Sequence, residues 1–174
     1  MLTIHSKIEP ALMEQVIDYL ETNIEPILGV DVSTYAPGRR RLWLEHEAPL
    51  SLFRPWLKGH KDERIWNWVT AVLHPYKFTP MFALVSKGGV IHKHRDAPSL
   101  NYRSFAINLG KVTWCYAPNE EEPLRYNMTG GEVFSFNSKI PHWTEEVSED
   151  RWAFNFWTVS NKDADRYYLY KQNQ

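Results

Sequence analysis

Between Glu9 and Asn23, Leu12, Val16, Ile17 and Leu20 recur at the spacing that lines one stripe of a helix. Pro10 sits in the first turn, where its missing N–H costs nothing. Lys58 to Leu73 repeats this pattern with Ile65, Trp68, Val69 and Val72, and the two prolines of HPYKFTP end it. From Pro80 the period shortens to two. MFALVS, VIHKH, YRSFAINL, KVTWCYA, EVFSFN and RWAFNFWTVS alternate as strands do, separated by turn formers in SKGG, APN, MTGG and SED. No helix-length insert divides these six runs, which predicts a sandwich, barrel or jelly roll in place of parallel βαβ winding. The closing DADRYYLYKQNQ reads as a terminal strand or helix.

A chain of 174 residues is long enough to bury a core and short enough for one domain. Within it, residues 1–79 read as a helical support region, 80–160 as the strand-rich core and 161–174 as a C-terminal extension. The class expected is therefore mainly β with N-terminal helices. An aromatic share of 14%, including eight tryptophans, strengthens that expectation, because large rings suit pleated, half-buried surfaces. Most of those tryptophans read as core or interface.

Charge removes some functions. Twenty basic and twenty-one acidic side chains give a net charge of −1, with no global footprint for nucleic acid or an anionic membrane. Cys115 is the single cysteine, so neither an internal disulfide nor a cysteine-based zinc site is available, and a reducing, cytoplasmic setting is expected. Nowhere do eighteen apolar residues run together.

The candidate chemistry starts in GGVIHKHRDAP. Residues two apart on a strand share a face with Cα atoms roughly 6.6 Å apart, so His94 and Asp96 can converge on one ion while Lys93 and Arg95 point away. His92 shares their face, but the glutamate that would complete a cupin-type set is absent, with Ala97 and Pro98 in its place. His142 stands 46 residues beyond Asp96, after Pro141 at a strand start, and Arg151 follows nine residues later. His5, His46, His60 and His74 lie in polar or turn settings with no partner at metal spacing.

Two imidazoles and one carboxylate hold one face of an ion and leave positions open, the ligand set of non-haem Fe(II) oxygenases, with zinc second. Arg151 opens a run whose two faces, Ala153, Asn155 and Trp157 against Trp152, Phe154 and Phe156, are both largely apolar. A buried charge there needs an anion. Glu145, Glu146, Glu149, Asp150 and a bound ligand are all candidates.

The order HRD, PHW and Arg151 resembles the HxD…H…R pattern of the Fe(II)/2-oxoglutarate-dependent dioxygenases, over residues 80 to 160. HRDAPSLNYRSFAINLG is similar, more narrowly, to the aspartyl/asparaginyl β-hydroxylase-like group, in which an arginine nine residues after the first metal histidine helps hold the cosubstrate. Arg103 has that spacing from His94. Members from animals often lack the carboxylate ligand. The presence of Asp96 makes this chain more like the small bacterial and phage-type members.

The resemblance implies a double-stranded β-helix, a cupin-like jelly roll, with Fe(II) on His94, Asp96 and His142. It implies 2-oxoglutarate chelating that iron, its far carboxylate on Arg151 with Arg103 as a second contact, and O2 as co-reactant. The substrate would be a small molecule, an amino acid or a peptide side chain, and the reaction a hydroxylation. Two other readings stay open. One is a cupin-like metalloenzyme using His92, His94 and His142 without a keto acid, and the other a noncatalytic β-sandwich ligand-binding module.

Overall fold

In the computed structural model, residues 1–47, 57–119 and 122–160 are described, together with Asp165, Leu169, Gln172 and Asn173. Strand β1 (Thr3–Lys7) leads into helix α1 (Pro10–Asn23), which opens on its proline and buries Leu20 while Met13, Val16 and Ile17 pack behind it. Helix α2 (Glu63–Leu73) starts where Asp62 caps it. The Asp62 carboxylate accepts the Ile65 N–H at 2.9 Å, and the helix buries Ile65, Val69 and Leu73. The other Asp62 oxygen accepts the Tyr19 hydroxyl at 2.8 Å, so the cap also ties α1 to α2. That cap places the helix start five residues after Lys58, the start expected from periodicity.

Between and after the helices run β2 (Gly29–Val30), β3 (Arg40–Leu44), β4 (His46–Glu47), β5 (Leu57–Lys58), β6 (Phe82–Lys87), β7 (Arg103–Leu109) and β8 (Val112–Tyr116). The chain continues through β9 (Leu124–Met128), β10 (Glu132–Asn137), β11 (His142–Glu145) and β12 (Trp152–Trp157). The large sheet has the order β1-β10-β7-β12-β6-β3-β2, the small one β11-β8-β9, and β4 pairs with β5 alone. The strand pairings within these sheets are antiparallel.

Period two then sorts the side chains. On β12, Trp152, Phe154 and Phe156 face the helices, joined by Ala83 and Val85 of β6 and by Phe105 and Ile107 of β7. Ala106, Phe134 and Phe136, on the other face, pack on Val112, Trp114 and Tyr116 of the small sheet. The result is three layers, helices, large sheet and small sheet, and the space between the two sheets is where the candidate residues converge.

Several sequence expectations need correction. VIHKH forms no regular strand; it is an extended loop with one bridge, at His94, because its polar groups bond to β11 and neighbouring loops in a slipped register. The N-terminal third is more than helical support, since β1 and the β2–β3 pair extend the large sheet at opposite edges. Strand β9 was not foreseen, and its residues Leu124, Arg125 and Asn127 are exposed, which hides the alternation. The expectation for DADRYYLYKQNQ lies largely outside the described residues, although Asp165, Leu169 and Gln172 are helical. Trp56 is outside them too, while Trp152, Trp114 and Trp157 are buried as expected. No helix among the described residues is long and apolar enough to cross a membrane.

Candidate functional site

Backbone pairing places the two histidines. His94 N–H donates to the His142 carbonyl at 3.1 Å and His142 N–H to the His94 carbonyl at 3.0 Å, so the residues sit directly opposite across an antiparallel bridge with ring centroids 4.4 Å apart. Two residues on, Asp96 N–H donates to the Ser138 carbonyl at 2.9 Å, and the Lys139 ammonium holds the carbonyls of Asp96 and Ala97. Side chains from two segments 46 residues apart are thereby locked together in the cleft. Trp114 stacks on the His142 ring at 5.3 Å, Phe136 meets it edge-on at 5.0 Å, and Tyr35 stacks on His94 at 5.4 Å.

The hydrogen bonds also fix which ring nitrogens are available. His94 Nδ1 lies 2.8 Å from the His92 carbonyl and His142 Nδ1 lies 2.9 Å from the Ile140 carbonyl. A carbonyl only accepts, so each Nδ1 carries a proton and Nε2 is the ring nitrogen left to turn toward Asp96, where it donates to the carboxylate when protonated and offers a lone pair to a metal when not. Those Nε2 atoms stand 3.4 Å and 3.6 Å from Asp96 Oδ1, while Asp96 Oδ2 accepts the Trp157 indole N–H at 2.7 Å. Burial pushes the Asp96 carboxyl up, but the adjacent His142 and His94 rings and the Trp157 N–H outweigh it and hold the group well below the ordinary carboxylate range. Asp96 is therefore an anion.

With both Nε2 atoms unprotonated, the three groups bring lone pairs within 4.8 Å of one another, and these repel unless a cation lies among them. Ligand atoms about 2.1 Å from one ion and at right angles lie roughly 3 Å apart, close to the spacing found, so the residues fit a divalent metal. Fixed Nδ1–H and Oδ2 contacts are the outer support that a metal site of this type uses. His92 is exposed and outside the cluster, its carbonyl serving His94, so the set of three histidines expected of a cupin-like enzyme does not assemble.

Arg151 reaches the same cleft, a cavity of about 340 Å³ shared with His94, Asp96, His142, Asn155 and Trp157. It is 6% exposed. Among the described residues its side chain makes one hydrogen bond, Nε to Asn108 Oδ1 at 2.6 Å, and no ion pair. Glu145 and Glu146 are engaged elsewhere, with Trp143, Arg125 and Thr113, and Glu149 and Asp150 line a different hollow. Burial, with the nearby charge of Arg39, pulls Arg151 down to about 10, which leaves it cationic at neutral pH. Glu132 lends it some opposite charge, but a buried guanidinium whose Nη atoms have no hydrogen-bond partner among the described residues is a site for an anion.

Arg103 is not brought to the cleft. It shares its strand face with Phe105 and Ile107, and that face meets the helices. The guanidinium is exposed there, 5.0 Å over the Phe105 ring and 3.3 Å from the Tyr76 carbonyl. The opposite face of β7, with Ala106, lines the cleft. The expected second cosubstrate contact is withdrawn for that reason.

Arg39, in contrast, was missed. It lines the cleft and pairs with the buried Asp31 at 2.6 Å, which Arg41 also engages at 3.0 Å. The run GRRRL gives no sign of which arginine turns inward. Asn108 and Trp157 were also missed as supports, although both interrupt or end apolar alternation on the cleft side.

No protein-family profile and no curated protein matches the chain. Solved structures do. OsALKBH1 superposes with a TM-score of 0.65 at 12% identity over 90% of this chain and 97% of that one. A prolyl-4-hydroxylase from Pseudomonas putida gives 0.60 at 11% over 92% of each chain. The fold is the jelly roll of 2OG-Fe(II) oxygenases. An oxidoreductase of the 2OG-Fe(II) oxygenase family from Burkholderia pseudomallei shares this jelly roll, with a TM-score of 0.51 at 14% identity over 86% and 78% of the two chains. Identities this low speak to the fold alone. The narrower likeness to the aspartyl/asparaginyl β-hydroxylase-like group loses one of its supports with Arg103.

Proposed function

We propose that the chain is an Fe(II)- and 2-oxoglutarate-dependent oxygenase that hydroxylates a small molecule, an amino acid or a peptide side chain. The observation that carries this reading is one cleft lined both by three converging ligand groups and by a buried guanidinium that makes no ion pair among the described residues. His94, Asp96 and His142 would hold the metal. With 2-oxoglutarate and O2, such an iron supplies oxidative decarboxylation of the keto acid to succinate coupled to oxidation of a C–H bond.

The protein's own contribution is binding and orientation. Arg151 takes the far carboxylate of 2-oxoglutarate through its free Nη atoms, a fork-shaped contact that a lysine ammonium cannot reproduce. Trp157 and the two backbone carbonyls hold the ligand atoms in place before any ion arrives. Trp114, Phe136 and Trp43 line the cleft and keep water from the reacting groups.

Succinate formation from 2-oxoglutarate, assayed with and without Fe(II), tests the reading. Iron-dependent succinate is expected from the native chain and none from Asp96→Ala. Equal turnover by Asp96→Ala, or turnover without metal, would contradict it.

A further inference from the structure

The side chain that holds Arg151 is itself held. Asn108 Nδ2 donates to Glu132 Oε2 at 2.8 Å and to the Gly110 carbonyl at 2.7 Å. Glu132 is buried at the start of β10. Its Oε1 also accepts the backbone N–H groups of Thr129 at 2.9 Å and Gly130 at 3.2 Å, and its Oε2 accepts Gly130 N–H at 3.0 Å. The exposed Lys7 ammonium stands 3.5 Å from Oε1.

A carboxylate and a carbonyl can only accept, so the amide nitrogen of Asn108 is committed to that side and its oxygen must turn toward Arg151 Nε. Gly110 closes the other direction: a Cβ there would lie 2.9 Å from both Cα and Cβ of Arg151, so backbone and side chain are in contact at this point.

We propose that Asn108 and Glu132 are positioning residues for cosubstrate binding. The buried carboxylate fixes the direction of the Asn108 amide, and the amide fixes Arg151 through Nε and leaves both Nη atoms facing the ligand. This rests on the reading of Arg151 as the grip on 2-oxoglutarate. Glutamine at position 132 breaks the chain in either orientation, since its NH2 meets either the Asn108 NH2 or the backbone N–H groups of Thr129 and Gly130. Relief of the first clash flips Asn108 and sets a donor against Arg151 Nε.

The test measures 2-oxoglutarate affinity of Fe(II)-loaded protein without oxygen, and Fe(II) affinity separately, for Glu132→Gln and Asn108→Leu, each alone and combined with Arg151→Met. Unfolding midpoints report whether each variant is folded. Either single variant is expected to weaken 2-oxoglutarate binding roughly ten-fold or more and to leave Fe(II) affinity within about two-fold. Neither should weaken it further once Arg151 is gone. Unchanged 2-oxoglutarate affinity in both folded variants, or an equal loss in the Arg151→Met background, would overturn the inference. A different failure, Arg151→Met with native 2-oxoglutarate affinity, would remove the grip in the proposed function and this inference with it.

Discussion

Each of the converging atoms of His94, Asp96 and His142 owes its direction to a hydrogen bond on the far side of the same group. Trp157 N–H on Asp96 Oδ2 is the shortest of these, at 2.7 Å, and it leaves Oδ1 alone to face the histidines. Trp157→Phe keeps an aromatic side chain, though a smaller one, and removes the donor, so Fe(II) affinity should fall by about ten- to a hundred-fold while the fold persists. Competition with a chelator measures this, and native affinity in the variant would show that Oδ2 needs no partner. That His94 and Asp96 lie close together was legible in the sequence because alternate positions share a face, and their closeness survives even though the residues around His94 form a loop; His142 entered through its place in the HxD…H…R pattern. Their supports were not legible. Nothing in one sequence says that the indole at position 157 reaches back 61 residues, or that Arg39 turns inward while Arg40 pairs with Glu25 on a more exposed face.

Strand β12 joins the site to the core. Its even-numbered residues Trp152, Phe154 and Phe156 pack toward the helices, Asn155 and Trp157 line the cleft, and it pairs with β6 and β7 at once. Phe154, fully buried and 5.7 Å from the Trp68 ring of α2, has no room to be replaced. Phe154→Ala should destabilise the protein by roughly 3–5 kcal/mol, transfer and cavity costs together. Leu12→Ala, on the exposed side of α1, should stay within about 0.5 kcal/mol. Denaturant midpoints compare the two, and a similar cost for both would mean that the helices do not cover the sheet as described. Alternation made β6, β7, β8, β10 and β12 readable. Short edge strands such as β2, β4 and β5, with two residues each, carry no periodicity to read, and β3 hides behind three successive arginines.

Across the whole molecule, the charges withdrawn from solvent gather in and behind the cleft, with Arg151 buried and Arg39 half-buried as cations, and Glu132 buried and Asp96 half-buried as anions. Burial alone would raise the Glu132 carboxyl, but the Asn108 amide and the N–H groups of Thr129 and Gly130 overcome it and set the group below its ordinary 4.5. A lowered folded-state value means that this stabilisation is complete above about pH 4.5 and is lost as pH falls below it. The unfolding midpoint of the native chain should therefore drop more steeply below that pH than the midpoint of Glu132→Gln, and parallel curves would contradict the assignment. Sheet order, the three layers and the depth of the cleft are properties of long-range pairing, which no local pattern encodes; only the class of fold could be read in advance. The most direct test of the central claim, one metal and one keto-diacid in one cleft, is thermal unfolding under anaerobic conditions with 2-oxoglutarate, in the presence and absence of Fe(II). Ligand at a hundred times its dissociation constant should stabilise the iron-loaded protein by about 2.7 kcal/mol and the metal-free protein far less. Equal stabilisation without iron, or none with it, would contradict the account.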